Sequence, residues 1–186
     1  MSRCPFETLG VEPRFDVDLH VVEENRRALA RKLHPDKHVG SSAGERRLAL
    51  NHSIDVNDAV RVLKDPIKRA EALFRRAGIN LGDEKEPSPS PACLMEMMEA
   101  REELADAARA RDVEKVRALA SPAEQDKARA VARLTDAFAP AAQLSREALL
   151  ETALSALGEL RYAQRFLDEI AAFEEAIDDD VERTAN

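Results

Sequence analysis

The chain has no tryptophan, one tyrosine and six phenylalanines in 186 residues. So low an aromatic content argues against a base-stacking nucleic-acid platform and against a β-rich core. Cysteine is nearly absent as well. Cys4 and Cys93 stand far apart, without a CxxC spacing or neighbouring histidines, so neither a disulfide framework nor a zinc site is supported. No window approaches the ~20 apolar residues of a membrane span. The opening MSRCPFETLG lacks an apolar signal core and an Arg/Ser-rich amphipathic leader, and the expectation is a cytoplasmic protein without membrane attachment. No glycine-rich phosphate cradle occurs.

Alanine, leucine, glutamate and arginine fill long periodic segments, and 44% of residues are apolar. An all-α fold follows. The net charge of -8 is unevenly placed: residues 1–78 carry 15 Lys+Arg against 12 Asp+Glu, residues 89–186 carry 12 against 21, and 79–88 add -2. Between the two parts lies NLGDEKEPSPSP, whose Gly82, Pro87, Pro89 and Pro91 suppress helix and whose charges keep the backbone solvated. The expected organisation is an amino-terminal domain over 1–78, a linker over 79–88 and a carboxy-terminal domain over 89–186.

In the first part, a short helix is predicted over Pro5–Leu9, ended by Gly10 and Pro13. Asp16 or Asp18 caps a second helix with Leu19, Val22, Leu29 and Leu33 on its core stripe. Its opposite face carries Arg27, Arg31 and Lys32, and Pro35 breaks it. A third helix from about Glu45 to Lys64 presents Ala49, Val56, Ala59, Val60 and Leu63, and a fourth is closed by Gly78. The break contains KLHPDKH. His34 and His38 stand four residues apart and would share a helix face with Asp36 as a hydrolase metal site, but Pro35 disrupts that geometry and no second ligand cluster exists. The other residue-level reading is a capped helix end followed by a solvated turn.

The second part begins with PACLMEMMEAREELADAARARD, where Met97, Leu104 and Ala108 are expected on a buried line. Leu94, Met95, Met98, Glu99, Glu102 and Asp106 fall on a neighbouring face, which reads either as a core edge beside solvated carboxylates or as a partner groove in which flexible methionines adapt to an apolar patch. Ser121-Pro122-Ala123-Glu124 has the form of a capping box opening the next helix, which Pro140 ends or kinks. Ser145 opens the last long helix, with Leu149, Leu150, Ala153, Leu157, Leu160, Ala163, Leu167 and Ile170 at helical spacing, and DDDVERTAN is expected as a frayed tail. Three helices with short connections predict an antiparallel three-helix bundle.

PFETLGV, RRALARKLHPDKH and NDAVRVLKDPIKRAEAL occur in the order and helical phase of a J-domain, and residues 1–78 resemble that part of the DnaJ family. The resemblance implies that His34, Pro35, Asp36 and Lys37, with Arg27, Arg31 and Lys32, engage a DnaK-type chaperone ATPase and stimulate hydrolysis on that partner. Glu23 departs from the basic strip of many J-domains. LMEMMEAREEL and RFLDEI, following a J-domain after a short linker, resemble the HscB family of iron-sulfur cluster assembly co-chaperones, and the Gly/Phe-rich and cysteine-rich zinc segments of general DnaJ proteins are missing. This likeness implies an HscA-like ATPase partner and binding of an IscU-type scaffold through Leu94, Met95, Met98, Glu99, Glu102, Asp106 and Phe166. It implies no cofactor, no metal and no catalysis on this chain. A bacterial cytoplasmic member is favoured, or a mitochondrial-matrix one if a presequence has been removed. A J-domain protein with another client and, more remotely, the metal hydrolase are the alternatives.

Overall fold

A computed structural model describes residues 4–33, 42–81, 87–139, 142 and 145–184, with side chains as far as Ile177. The fold is all-α and divides into two compact units. The first comprises residues 1–85 with 138–143, the second residues 86–137 and 144–186.

In the first unit, α1 (Pro5–Leu9) starts on a proline whose missing N–H would be unpaired there anyway. Gly10 closes it at φ 64°. This left-handed conformation carries no steric cost in glycine. For α2 (Leu19–Leu33) the cap is Asp18, whose carboxylate accepts from the backbone N–H of His20 (2.8 Å) and Val21 (3.4 Å). Asp16 is engaged instead with Arg14 at 2.5 Å. The α2 stripe is narrower than its periodicity suggests: Val22 is fully buried, Leu29 and Leu33 are half-buried, and Leu19 at the helix start is exposed.

A complete capping box opens α3 (Ala43–Lys64): Ser42 Oγ accepts from Glu45 N, while the Glu45 carboxylate accepts from Ser42 N at 2.8 Å. Val56, Ala59, Val60 and Leu63 are buried as their spacing predicts, and Ala49 is half-buried. Asp65 caps α4 (Pro66–Arg76), and the chain turns away through Gly78 at φ 73°. Phe6, Leu9, Phe15, Leu63, Phe74 and Ile79 are the largest buried groups of this unit. Phe74 meets Phe138 edge-on, ring centroids 5.2 Å apart.

Arg69, on the inward side of α4, is the one buried charged side chain among the described residues. Its guanidinium donates to the carbonyls of Leu63 and Phe15, both at 2.7 Å, and lies 5.3 Å from the centre of the Phe15 ring. Burial lowers its pKa from the ordinary arginine value.

Among the described residues the second unit contains four helices, one more than the periodicity predicts. In α5 (Pro91–Ala110) Ser90 is the cap and Pro91 the first residue. Arg111, left-handed at φ 54°, ends it, and Asp112 at once caps the short α6 (Val113–Ala118) through Lys115 N at 3.0 Å. Leu119 at the end of α6 keeps right-handed helical dihedrals, so α7 (Ala120–Ala137) starts without an extended cap residue. Ser121 and Pro122 therefore lie inside the first turn and do not form the predicted capping box. Proline is tolerated there because the first N–H groups of a helix have no partner in the helix. Pro140 lies outside the described residues.

The last helix, α8 (Arg146–Thr184), starts as predicted, with Ser145 Oγ accepting from Ala148 N at 3.2 Å. It continues to Thr184, through most of the segment expected to fray. Extending a formed helix fixes one residue per hydrogen bond and avoids the costly nucleation step. Leu104, Ala107, Val116, Ala123, Phe166 and Ile170 form one core where the four helices meet. Ala107 takes the buried place expected of Ala108, which is half-buried. Arg101 pairs with Glu169 at 2.6 Å, Arg117 with Glu174 at 3.1 Å and Arg133 with Glu159, tying α5, α6 and α7 in turn to α8.

The stretch before α5 also differs from a solvated linker. Pro87 and Pro89 are buried. The backbone at Ser88 and Pro89 passes so close to Gly158 in α8 that a Cβ on that glycine would stand 2.6 Å from Ser88 C and 2.8 Å from Pro89 N.

Candidate functional site

Two surfaces carry the residues singled out by sequence. On the first, Arg27, Arg31 and Lys32 are all exposed on α2. Arg31 and Lys32 lie in the last helical turn, where cations complement the negative end of the helix dipole. The strip is not uniformly positive, because Glu23 accepts from Arg26 at 2.5 Å and lies 3.7 Å from Arg27 Nε. Among the described residues, Glu23 thus offsets part of the charge of Arg27. His34, Pro35, Asp36 and Lys37 lie outside the described residues.

The second surface is one side of α5. At about 100° per residue, Leu94, Met98, Glu102, Met95, Asp106 and Glu99 fall within an arc of roughly 140°. The half-buried and buried positions Met97, Ala100, Leu104 and Ala107 occupy the other side. Most of the mixed face is thus turned away from the core, with half-buried Leu94 at its margin. Met95 and Met98 are 66% and 70% exposed, Leu94 is half-buried, and Glu99, Glu102 and Asp106 are exposed. Asp106 pairs with Arg109 at 2.5 Å. Large apolar side chains flanked by carboxylates on a helix face form a surface with apolar anchors and polar orientation.

Phe166 is not part of that exposed surface. It is 7% exposed and packs in the core shared by Leu104, Val116 and Ile170. Its position in α8 repeats the inward phase of Ala163 and Ile170, so the ring follows the core stripe of its helix.

A cleft that the sequence did not disclose lies between α5 and α7, floored by Ala163 and Phe166 of α8, with a volume of about 280 Å³. Cys93 and Met97 line it from successive turns of α5, their sulfurs 3.7 Å apart. Glu96 and Asp126 bring carboxylates to the same cleft. Burial, then the negative charges of Asp126 and Glu96, push the Cys93 thiol above its ordinary pKa. The i,i+4 spacing of Cys93 and Met97 was visible in sequence, but the gap between α5 and α7 was not. Among the described residues no three His, Cys, Asp or Glu side chains gather as a metal site, and no helix is long and apolar enough to cross a membrane.

Residues 89–171 match the family model described as the HSCB C-terminal oligomerisation domain. A co-chaperone protein HscB homolog of Neisseria meningitidis serogroup C is 36% identical over 134 residues, covering 72% of this chain and 81% of the relative. Its counterpart in Shewanella sp. strain MR-4 is 33% identical over 183 aligned residues, covering 92% of this chain and 97% of the relative. Among solved structures, chaperone HscB from Vibrio cholerae superposes with a TM-score of 0.76 at 28% identity, covering 93% of this chain and 98% of its own. The human co-chaperone protein HscB shares the fold with a TM-score of 0.78 at 24% identity, covering 93% and 83% of the two chains. The chain belongs to the HscB family of co-chaperones.

Proposed function

We propose that this protein is a co-chaperone of iron-sulfur cluster assembly that brings a scaffold protein of the IscU type to an HscA/DnaK-type chaperone and stimulates that chaperone's ATPase. The observation that carries the reading is the outward face of α5 in a member of this family: Met95 and Met98 lie largely in water, ringed by Glu99, Glu102 and Asp106. A free monomer gains nothing from two exposed methionines side by side, whereas a partner that covers them gains their apolar area. The carboxylates would orient that partner and disfavour an acidic surface in the same place. Phe166 supports the face from the core below it.

In the first unit, His34, Pro35, Asp36 and Lys37 would be read by the chaperone, with Arg27, Arg31 and Lys32 steering the approach toward an acidic surface. Charges of this exposure act mainly on association rate, and Glu23 reduces the field of Arg27. The chain would perform no covalent chemistry itself; hydrolysis would take place on the partner.

The test uses the full chain, the purified chaperone and the scaffold. Asp36→Asn and His34→Gln are expected to abolish ATPase stimulation while leaving helical content and melting temperature unchanged. Leu94→Ala with Met98→Ala should weaken scaffold binding by ~1 to 2 kcal/mol, roughly five- to thirtyfold, with stimulation in the absence of scaffold retained. Full stimulation by both the Asp36→Asn and His34→Gln variants would overturn the chaperone assignment. Scaffold binding unaffected by the α5 variant would remove α5 as the docking face. Recovery of the chaperone without any scaffold from native lysate would assign the second unit another client.

A further inference from the structure

The three methionines of the run MEMM in α5 divide by exposure. Met95 and Met98, three positions apart and so neighbours on one helix face, are 66% and 70% exposed. Met97 faces the other way: it is half-buried, and its sulfur accepts from the Cys93 thiol at 3.7 Å. One short run thus presents two thioethers to solvent and holds a third, chemically identical, against the core.

A solvated thioether is oxidised by a peroxide in one step. With hydrogen peroxide the O–O bond breaks as an S–O bond forms, sulfur loses two electrons, and the peroxide is reduced to water. The product, methionine sulfoxide, is polar and chiral where the thioether was apolar and flexible. Its oxygen accepts hydrogen bonds and donates none. Glu99 and Glu102, one turn on from Met95 and Met98, carry carboxylates that also only accept, so they cannot satisfy that oxygen. Beneath a partner it would be buried without a donor from these neighbours, which costs free energy where the thioether gained it. We infer that Met95 and Met98 are a peroxide modification site, at which oxidation to the sulfoxide releases the scaffold from α5. The inference rests on the docking role proposed above for that face.

The surroundings confine the reaction to this face. Met97 is shielded on the inward side of the same helix. Burial, then Asp126 and Glu96, hold the Cys93 thiol above its ordinary pKa and so keep it from the thiolate form that peroxides attack. A bound scaffold would cover Met95 and Met98, so the oxidant acts on the free protein.

The experiment treats the full chain with hydrogen peroxide, then with dithiothreitol to return sulfenic acids and disulfides to thiols, in parallel with Met97→Leu and the double variant Met95→Leu with Met98→Leu. Peptide mass spectrometry is expected to find one oxygen added to each of Met95 and Met98 about tenfold faster than to Met97, with circular dichroism unchanged. Titration with an IscU-type scaffold then gives, for each protein, the ratio of dissociation constants after and before peroxide. That ratio should be roughly five- to thirtyfold for the unaltered chain and Met97→Leu, and within about twofold of one for the double variant. Methionine sulfoxide reductases of both stereospecificities should restore the oxidised chain. Oxidation of Met97 as fast as of Met95 and Met98, a ratio near one in the unaltered chain, or an equal loss in the double variant would each overturn the inference. Untreated Leu94→Ala with Met98→Ala checks docking separately. Weakened binding there, with no effect of peroxide on the unaltered chain, removes the oxidation site alone; normal binding there removes the docking face and the inference with it.

Discussion

Glu23 of α2 and Lys64 at the end of α3 face one another with 3.3 Å between Oε2 and Nζ. That oxygen is buried and accepts no aligned hydrogen bond, so the lysine answers it as a charge. The other carboxylate oxygen accepts from Arg26. Glu23 thus ties α2 to α3. The Arg26 hydrogen bond, and after it the interaction with Lys64, hold this carboxyl at about 2, against an ordinary value of 4.5.

A pH dependence follows from that shift. A carboxyl whose pKa is lower in the folded than in the unfolded state contributes stability that is fully present above the unfolded value and is lost as pH falls through the folded one. The Glu23 contribution should therefore decline between about pH 4.5 and about pH 2. Thermal melts of the unaltered chain and of Glu23→Gln across this range are expected to converge toward the acid end. Parallel curves would show that the pair contributes nothing on balance.

Arg69 supplies the second expectation. Its guanidinium satisfies the Phe15 carbonyl in the loop before α2 and the Leu63 carbonyl at the end of α3. Arg69→Met keeps much of the apolar stem but leaves both acceptors without that donor, and should cost about 2 to 4 kcal/mol in urea denaturation. Arg69→Lys should recover only part of the loss, since one ammonium cannot reproduce a planar fork. A cost near zero for Arg69→Met would mean that water replaces the guanidinium freely.

The contrast between Arg69 and Gly10 explains what was legible in the sequence. Gly10, Asp65-Pro66, Gly78 and Ser145 act within a few residues of themselves, so the ends of α1, α3, α4 and the start of α8 could be read from local chemistry. The α5 face was legible as a pattern because six positions share one helical phase, but not its direction, which depends on where Leu104 and Ala107 find Phe166 and Ile170. Arg69 looked like any cation of a surface helix; its role comes from a carbonyl 54 positions away. Likewise α6 was hidden because the break at Arg111 uses a left-handed arginine, where glycine or asparagine would have signalled the turn.

Gly158 gives a prediction whose sign opposes the usual rule. Glycine to alanine inside a helix normally stabilises by up to about 1 kcal/mol. Here the added methyl would meet the Ser88–Pro89 backbone at 2.6 to 2.9 Å, and backbone cannot yield as a flexible side chain would. Gly158→Ala should destabilise by about 1 to 3 kcal/mol, the usual range for overpacking. A raised melting temperature would show that the segment before α5 shifts away at little cost.

The sharpest division within the second unit is between Met98 and Phe166, which the family resemblance grouped as one surface. Met98 is 70% exposed on α5, whereas Phe166 is 7% exposed and shares a core with Leu104, Val116 and Ile170. Truncating a solvated side chain removes little that folding had gained, and Met98→Ala should change unfolding free energy by no more than about 0.5 kcal/mol. Truncating a buried aromatic loses its transfer energy and leaves a cavity, so Phe166→Ala should cost about 3 to 5 kcal/mol. Scaffold titrations on the two variants, at a temperature where both are folded, then separate direct contact from support. Met98→Ala should weaken binding without changing the fold, while conservative Phe166→Leu should retain most binding once folding is restored. Loss of binding in Phe166→Leu at full stability would show that the ring itself reaches the partner through the cleft it floors.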